Sequence, residues 1–268
     1  MVDFFINLNP YYQAFILGGF TFFLTVLGAG TIFLVKNIDH KVLDRFIALS
    51  AGIMLASSIF SLIIPALDST RGMNYNTPVI LSLGLLFGTI ILYICDIYGS
   101  KVKGRNSNNL IISMIIHNIP EGMAIGVAFA GVYYGSVSSI MGAVSLAVGI
   151  GIQNFPEGSA ISFPMYKNGN SKFKSFMIGG LTAIVEPFSA LVGVFIASRF
   201  PVMLPVLLAT AFGSMLYVIA TELIPEIMAK KNKELMALYL AFGFIIMMIL
   251  DISLGWYLFI FRIFFQIL

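Results

Sequence analysis

The sequence predicts an all-α integral membrane protein in which eight transmembrane helices form one domain, residues 1–268. Three observations carry that prediction: a composition too apolar for water, a regular succession of apolar runs of membrane-spanning length, and a strict alternation in where the basic residues fall. Of 268 residues, 59% are hydrophobic and 10% charged, and the mean hydropathy is +0.98. Soluble domains carry about 25% charged and about 45–50% apolar residues. A water-soluble fold of this length leaves much of its surface wet and could not hide so much apolar side chain. Disorder is excluded on the same ground, and a disulfide scaffold because Cys95 is the single cysteine. The opening Met1-Val-Asp-Phe-Phe has no basic stretch ahead of its apolar run, so it does not read as a cleaved secretory signal.

A bilayer core about 30 Å thick takes roughly 20 apolar residues per helix. The first such run, 12–35, is closed by Lys36-Asn-Ile-Asp-His-Lys41, and the second, 45–67, by Asp68-Ser-Thr-Arg71. The third, 78–98, gives way to a polar segment from Ser100 to Asn109. The fourth, 109–131, and the fifth, 137–165, meet at an uncharged boundary from Gly131 to Ser139. Lys167 to Ser175 separates the fifth from the sixth, 176–198, and Arg199 stands before the seventh, 202–228. Lys230-Lys-Asn-Lys-Glu234 precedes the eighth, 235–261. Connectors this short leave no room for a water-soluble domain, and their Gly, Ser and Asn content makes them flexible.

Charge supports the count. Lys36, Lys41 and Arg45, then Lys101, Lys103 and Arg105, then Lys167, Lys172 and Lys174, then Lys230, Lys231 and Lys233 fall in alternate loops. They are twelve of the fifteen basic residues; Arg71, Arg199 and Arg262 fall on the other side. Under the positive-inside rule this places both termini outside a cell (plasma) membrane that the chain crosses many times. A miscounted helix would scramble the alternation. No basic patch interleaved with aromatics points to nucleic acid, and the many Phe and Met side chains read as packing or lipid-facing.

Ionisable groups inside a membrane cost several kcal/mol and mark pathways or sites. Here they cluster: His117-Asn-Ile-Pro-Glu-Gly122 in the fourth span, Gln153-Asn-Phe-Pro-Glu-Gly158 in the fifth, Glu186-Pro187 in the sixth, Glu222 and Glu226 in the seventh, and Asp251 in the eighth. The stretches His117–Gly126 and Gln153–Ser162 agree at six of ten positions, an internal repeat on two consecutive, hence antiparallel, spans. Such pseudo-two-fold repeats are how many transporters build a central site. His117 and Glu121 are four apart, as are Gln153 and Glu157, so each pair shares a helix face; Asn118 and Asn154 lie on the adjoining strip. Pro120 and Pro156 remove a rung from each helix and release the carbonyls of Ile116 and Ile152, which is tolerated at membrane depth where a cavity is lined. Gly122 and Gly158 let neighbouring backbones come close.

One imidazole, carboxylates and amide oxygens without a thiolate suit a divalent cation such as Zn²⁺, Mn²⁺, Fe²⁺ or Cd²⁺, and the donor set does not choose among them. The bland alternative is that His117 and the amides merely bond helices together at about 0.6 kcal/mol per contact. A duplicated Asn-x-Pro-Glu-Gly joined by Glu186 speaks against it, since such bonding needs no carboxylates. Carboxylates this crowded repel one another when empty, so metal entry is expected to displace protons.

The paired motifs His117-Asn-x-Pro-Glu-Gly122 and Gln153-Asn-x-Pro-Glu-Gly158 resemble the signature of the ZIP (Zrt-/Irt-like protein) family of divalent metal transporters. Eight spans, external termini and Glu186-Pro187 match it too, and the chain looks closest to the GufA-like prokaryotic branch, with Gln where many members carry a second His. The resemblance implies a ZIP-type bundle and a binuclear metal site between spans four, five and six. His117, Glu121, Gln153 and Glu157 would hold the transported ion; Asn118, Glu121, Asn154, Glu157 and Glu186 would hold a second, with Glu121 and Glu157 bridging. Asn154 stands where some bacterial relatives carry Asp, which removes a negative charge. Thr221-Glu222 replaces the His-Glu of several relatives, leaving Glu222 at the cytoplasmic exit. The loop from Ser100 to Asn109 has none of the family's frequent histidines.

The resemblance also implies inward carriage of metal by alternating access. The bundle of spans one, four, five and six would slide elevator-like against spans two, three, seven and eight. Gly18-Gly19, Gly149-Ile-Gly151 and Gly179-Gly180 are expected as smooth slipping surfaces. Met54, Ser57 and Ser61 in the second span are expected along the route. An enzyme is not expected: an intramembrane metalloprotease needs His-Glu-x-x-His, and His40 and His117 are the only histidines. A cation channel or an exporter of the same ions are the alternatives in function. The metal and the lipid bilayer are the expected partners, with a homodimer among the forms considered.

Overall fold

The computed structural model describes residues 5–34, 40–70, 76–101, 108–134 and 140–267, and the regular elements among them are all helical. Among the described residues eight rods follow one another. The first is α1 (Pro10–Gly30), capped by Asn9, whose side-chain oxygen accepts from the Tyr11 amide at 3.0 Å, with Pro10 in its first turn. It tightens into a 3₁₀ turn at Thr31–Phe33. The second rod joins α2 (His40–Ser57), a π-helical stretch at Ser58–Ile63 and α3 (Ile64–Ser69). Rods three to five are continuous: α4 (Thr77–Lys101), α5 (Asn108–Tyr133) and α6 (Ile140–Lys167).

In the sixth rod α7 (Lys172–Leu181), capped by Ser171, passes through a 3₁₀ turn at Thr182–Ile184 into α8 (Val185–Arg199). The seventh opens with a 3₁₀ turn at Pro201–Met203 and runs through α9 (Leu204–Val218), a second π-helical stretch at Ile219–Leu223 and α10 (Ile224–Met228). The eighth is α11 (Lys233–Ile267).

The two π-helical stretches have a common cause. Each runs directly into an Ile-Pro pair, Ile64-Pro65 and Ile224-Pro225. Proline has no N–H to return to the carbonyl four residues back, and widening the preceding turn re-pairs the freed groups. Pro120 and Pro156, by contrast, sit inside rods that continue through them.

Among the described residues seven rods are long and apolar enough to cross a membrane: Pro10–Phe33, Asp44–Ser69, Thr77–Ile97, Met114–Tyr133, Lys172–Arg199, Pro201–Met228 and Lys233–Ser253. The remaining rod, α6, has 28 residues and at 1.5 Å per residue is about 42 Å long. It is not among the seven: its length suffices, but Gln153, Asn154 and Glu157 dilute its apolar character. Exposed Phe23, Leu27, Leu83, Phe87, Leu238, Phe242 and Ile249 stud the outward faces, while Phe129, Leu146, Ile150, Leu208 and Met215 fill the interior. Rods apolar on both faces are what a bilayer solvent selects.

The rods sort into two packed groups. In one, α5 lies along α8, and α1 lies along both α6 and α8; in the other, α11 lies along α2 and α9 along α4; between the groups, α2 lies along α6 and α9 touches α5. Within each group the backbones touch at glycines. A Cβ at Gly126 would strike the Ala190 carbonyl, one at Gly158 that of Thr25, one at Gly52 that of Leu240, and one at Gly88 that of Thr210.

This corrects the expectation that glycine pairs form the slipping surfaces. Gly18 abuts Pro187, Gly179 abuts Gly158, Gly180 abuts Val26 and Gly151 abuts Phe20, all inside their own group; Gly19 has open space. Of those expected, Gly149 alone faces the other group, against the side chains of Met247 and Ser57. Missing Cβ atoms permit close, locking contact as readily as slip.

Candidate metal centre

The two motif copies meet where α5, α6 and α8 converge. Gln153 Nε2 donates to Glu121 Oε1 at 2.7 Å, joining α6 to α5. Asn154 Nδ2 donates to Glu186 Oε1 at 2.8 Å, joining α6 to α8. Asn118, Glu121, Gln153, Asn154 and Glu186 are each at most 1% exposed, far below what single polar residues tolerate without partners. Glu186 is positioned by the tightening of the sixth rod: it follows the 3₁₀ turn at Thr182–Ile184 and falls in the first turn of α8. Gly122 sets the approach of α5. A Cβ there would collide with the Glu186 carbonyl and the Ser189 hydroxyl, so only glycine lets Glu121 come alongside.

The unpaired atoms define the chemistry. Asn118 Oδ1, Glu121 Oε2, Gln153 Oε1, Asn154 Oδ1 and Glu186 Oε2 are buried and accept no hydrogen bond, and Asn118 Nδ2 has no acceptor. Buried polar atoms are nearly always paired, so five orphaned oxygens in one place are a strong departure. Oxygens without donors suit a cation. Glu121, Glu157 and Glu186 lie within electrostatic reach of one another, and Glu157 also feels Glu222. Among the described residues no three His, Cys, Asp or Glu side chains are gathered into a ready metal cage. The convergence is one of amide and carboxylate oxygens. The side chain of His117 lies outside the described residues.

A cavity of about 360 Å³ leads from this cluster to the end of the bundle that carries Lys230. The buried Glu121 and Pro156 mark its inner end and the partly exposed Asp44, Glu226 and Lys230 its mouth, and Ser50, Glu157, Val218 and Glu222 also line it. Of the residues expected along the route, Glu222 lines this cavity. Met54, Ser57 and Ser61 do not. Met54 is buried in the core, the Ser57 hydroxyl donates to the Met54 carbonyl at 3.0 Å, and Ser61 donates to both Asp251 oxygens, at 3.0 and 2.9 Å. That contact supplies the partner of Asp251, which the sequence alone did not name.

Sequence reasoning singled out Glu226 as an acid near the end of the seventh span but missed Ser50, whose hydroxyl donates to the Gln153 carbonyl at 3.2 Å, and the cavity-lining pair Asp44 and Lys230. Asp44 and Lys230 flank loops that had been weighed for topology alone, and their acid–base complementarity across distant segments was the available signal.

The family model described as ZIP zinc transporter matches residues 106–251. The chain is 32% identical to the zinc transporter GufA of Myxococcus xanthus, over 86% of this chain and 94% of the relative. It is 31% identical to the zinc transporter ZIPB of Bordetella bronchiseptica, over 90% and 81%, and 29% identical to the zinc transporter ZIP11 of Xenopus tropicalis, over 92% and 98%.

Proposed function

This chain belongs to the ZIP zinc transporter family, and on that premise we propose that it carries Zn²⁺ into the cytoplasm through a binuclear site at the meeting of α5, α6 and α8. It is a multi-pass membrane transporter of divalent metal, not an enzyme. The observation that carries the finer reading is the set of five buried, unpaired oxygens at the inner end of a cavity walled by acidic side chains. In this reading His117, Glu121, Gln153 and Glu157 hold the travelling ion. Asn118, Asn154 and Glu186 complete a second position that shares Glu121 and Glu157. Oxygen-rich coordination also admits Cd²⁺, Mn²⁺ and Fe²⁺.

All eight rods then cross the plasma membrane as one domain, α6 included, with both termini outside and the lysine-rich loops inside. In this reading the cavity opens towards those loops, as an inward-open conformation would. Alternating access follows from motion of the group α1, α5, α6, α7 and α8 against the rest. Two features support this. Inside each group the seams are glycine-to-backbone contacts, whereas Gly149 meets its opposite group at the flexible Met247 thioether. One hydroxyl contact, Ser50 to the Gln153 carbonyl, also crosses that seam, and such bonds are worth only about 0.6 kcal/mol in a membrane.

Cross-linking tests the motion. With Cys95→Ser as background, a bifunctional thiol reagent joining Gly149→Cys to Met247→Cys should stop flux. Joining Phe60→Cys to Phe244→Cys, whose rings lie 6.1 Å apart within one group, should leave it intact. Undiminished flux after the first cross-link would end the moving-bundle reading. Flux rising without saturation would favour a channel, and outward flux an exporter.

A further inference from the structure

The mouth of the cavity carries a charge arrangement that metal binding at Glu121 and Glu157 does not use. Lys230 follows α10 and reaches back across it. Its Nζ lies 2.7 Å from Asp44 Oδ1 on α2 and 3.3 Å from Glu226 Oε1 on α10. All three residues line the cavity together with Glu222, Glu157 and Glu121. Five carboxylates and one ammonium therefore face a single space, and Lys230 is the one base among the described residues of its wall.

Two facing carboxylates at a cavity mouth hold divalent cations through hard oxygen ligands. An ion that left Glu157 and passed Glu222 would meet Asp44 and Glu226 next. Those two are already engaged by an ammonium that donates three hydrogens and accepts none. Burial works against the charge on Lys230, but Asp44 and Glu226 outweigh it and hold the ammonium's pKa above the ordinary lysine value. The group stays charged at any working pH. Because it is tethered through the main chain, it competes with metal at a high effective concentration and leaves no product to clear.

Resting on the transport reading above, we infer that Lys230 is a built-in counter-ion that occupies Asp44 and Glu226 and thereby keeps the mouth from retaining the departing metal. It is a positioning residue for release. It neither touches the inner site nor sets affinity there.

Lys230→Gln tests this on the full chain. Zn²⁺ is the probe, with binding stoichiometry measured in detergent and the release rate followed by an indicator dye. The variant should bind one additional Zn²⁺ and release metal slower by about tenfold, the effect expected when a unit charge is removed beside a divalent ion. Lys230→Arg should behave as the unaltered chain. Adding Asp44→Asn and Glu226→Gln to Lys230→Gln should restore both stoichiometry and release. Unchanged stoichiometry and release in Lys230→Gln would overturn the inference and reduce the contact to a surface ion pair of small value.

If Lys230→Gln fails to elute as folded protein, Asp44→Asn with Glu226→Gln in the presence of Lys230 decides. Wild-type release supports the inference, and altered release shows the carboxylates acting as ligands despite the lysine. Saturable, Glu157-dependent uptake by the unaltered chain is checked first. Its absence would fault the transport reading, whereas its presence beside an unaffected Lys230→Gln faults this inference alone.

Discussion

Replacing Asn154 with Asp exchanges one amide for a carboxylate at a position where the consequences can be worked out from the contacts. Asn154 Nδ2 donates to Glu186 Oε1 at 2.8 Å, and both residues are 0% exposed. Asp removes the donor and sets a second acceptor against Glu186. A hydrogen bond to a charged group is worth about 1.5–3 kcal/mol, and a buried charge left without its partner costs about 3–5 kcal/mol. Shared protonation of the new carboxylate pair relieves part of that, leaving a net loss of about 2–3 kcal/mol in the metal-free protein. For a chain of this size that is roughly 5–10 °C in Tm.

Zn²⁺ reverses the balance, because the added carboxylate then faces a dication. The assay is thermal unfolding of the solubilised protein with chelator and with excess Zn²⁺. Asn154→Asp should unfold earlier than wild type with chelator and close to it with metal, so that its Zn²⁺-induced shift is the larger. A variant as stable as wild type without metal, or one with no larger shift, would show that Asn154 does not face a cation.

Further outcomes follow from the same contacts. Metal ligands bind deprotonated, so Zn²⁺ affinity should fall steeply as pH drops from about 7 to 5; a competition assay giving a flat profile would contradict a carboxylate-built site. Gly158→Val would press a side chain into the Thr25 carbonyl and the Ala29 amide of α1, and overpacking of that kind costs about 1–3 kcal/mol. Its melting temperature should drop whether or not metal is present. Ser50→Ala removes one hydroxyl contact across the moving seam, worth about 0.6 kcal/mol, so transport rate should change by less than about threefold while Zn²⁺ affinity holds.

Much of this molecule could be read from the sequence because two of its signals are local and repeated. Apolar runs of membrane length and alternating lysine-rich loops gave the rods to within a few residues. The doubled Asn-x-Pro-Glu-Gly gave the cluster, since an i, i+3, i+4 spacing fixes which side chains share a helix face. Glu186 was legible for a related reason, as an intramembrane acid beside a proline. What escaped notice depended on contacts across long separations. Ser61 finds Asp251 some 190 residues away, and Asp44 meets Lys230 from the far end of another rod. The π-helical stretches before Pro65 and Pro225 could have been suspected from the repeated Ile-Pro, but the way the chain re-pairs its freed carbonyls depends on tertiary packing. The glycines misled because a missing Cβ has two uses, and the neighbour decides between them.

The most direct test of the account is Zn²⁺ uptake into proteoliposomes by the unaltered chain and by Glu157→Ala, measured over a range of metal concentrations. Saturable inward uptake that the substitution abolishes is the predicted result. Uptake that survives the loss of Glu157 would mean that the paired motifs bind helices to one another and that the metal travels elsewhere.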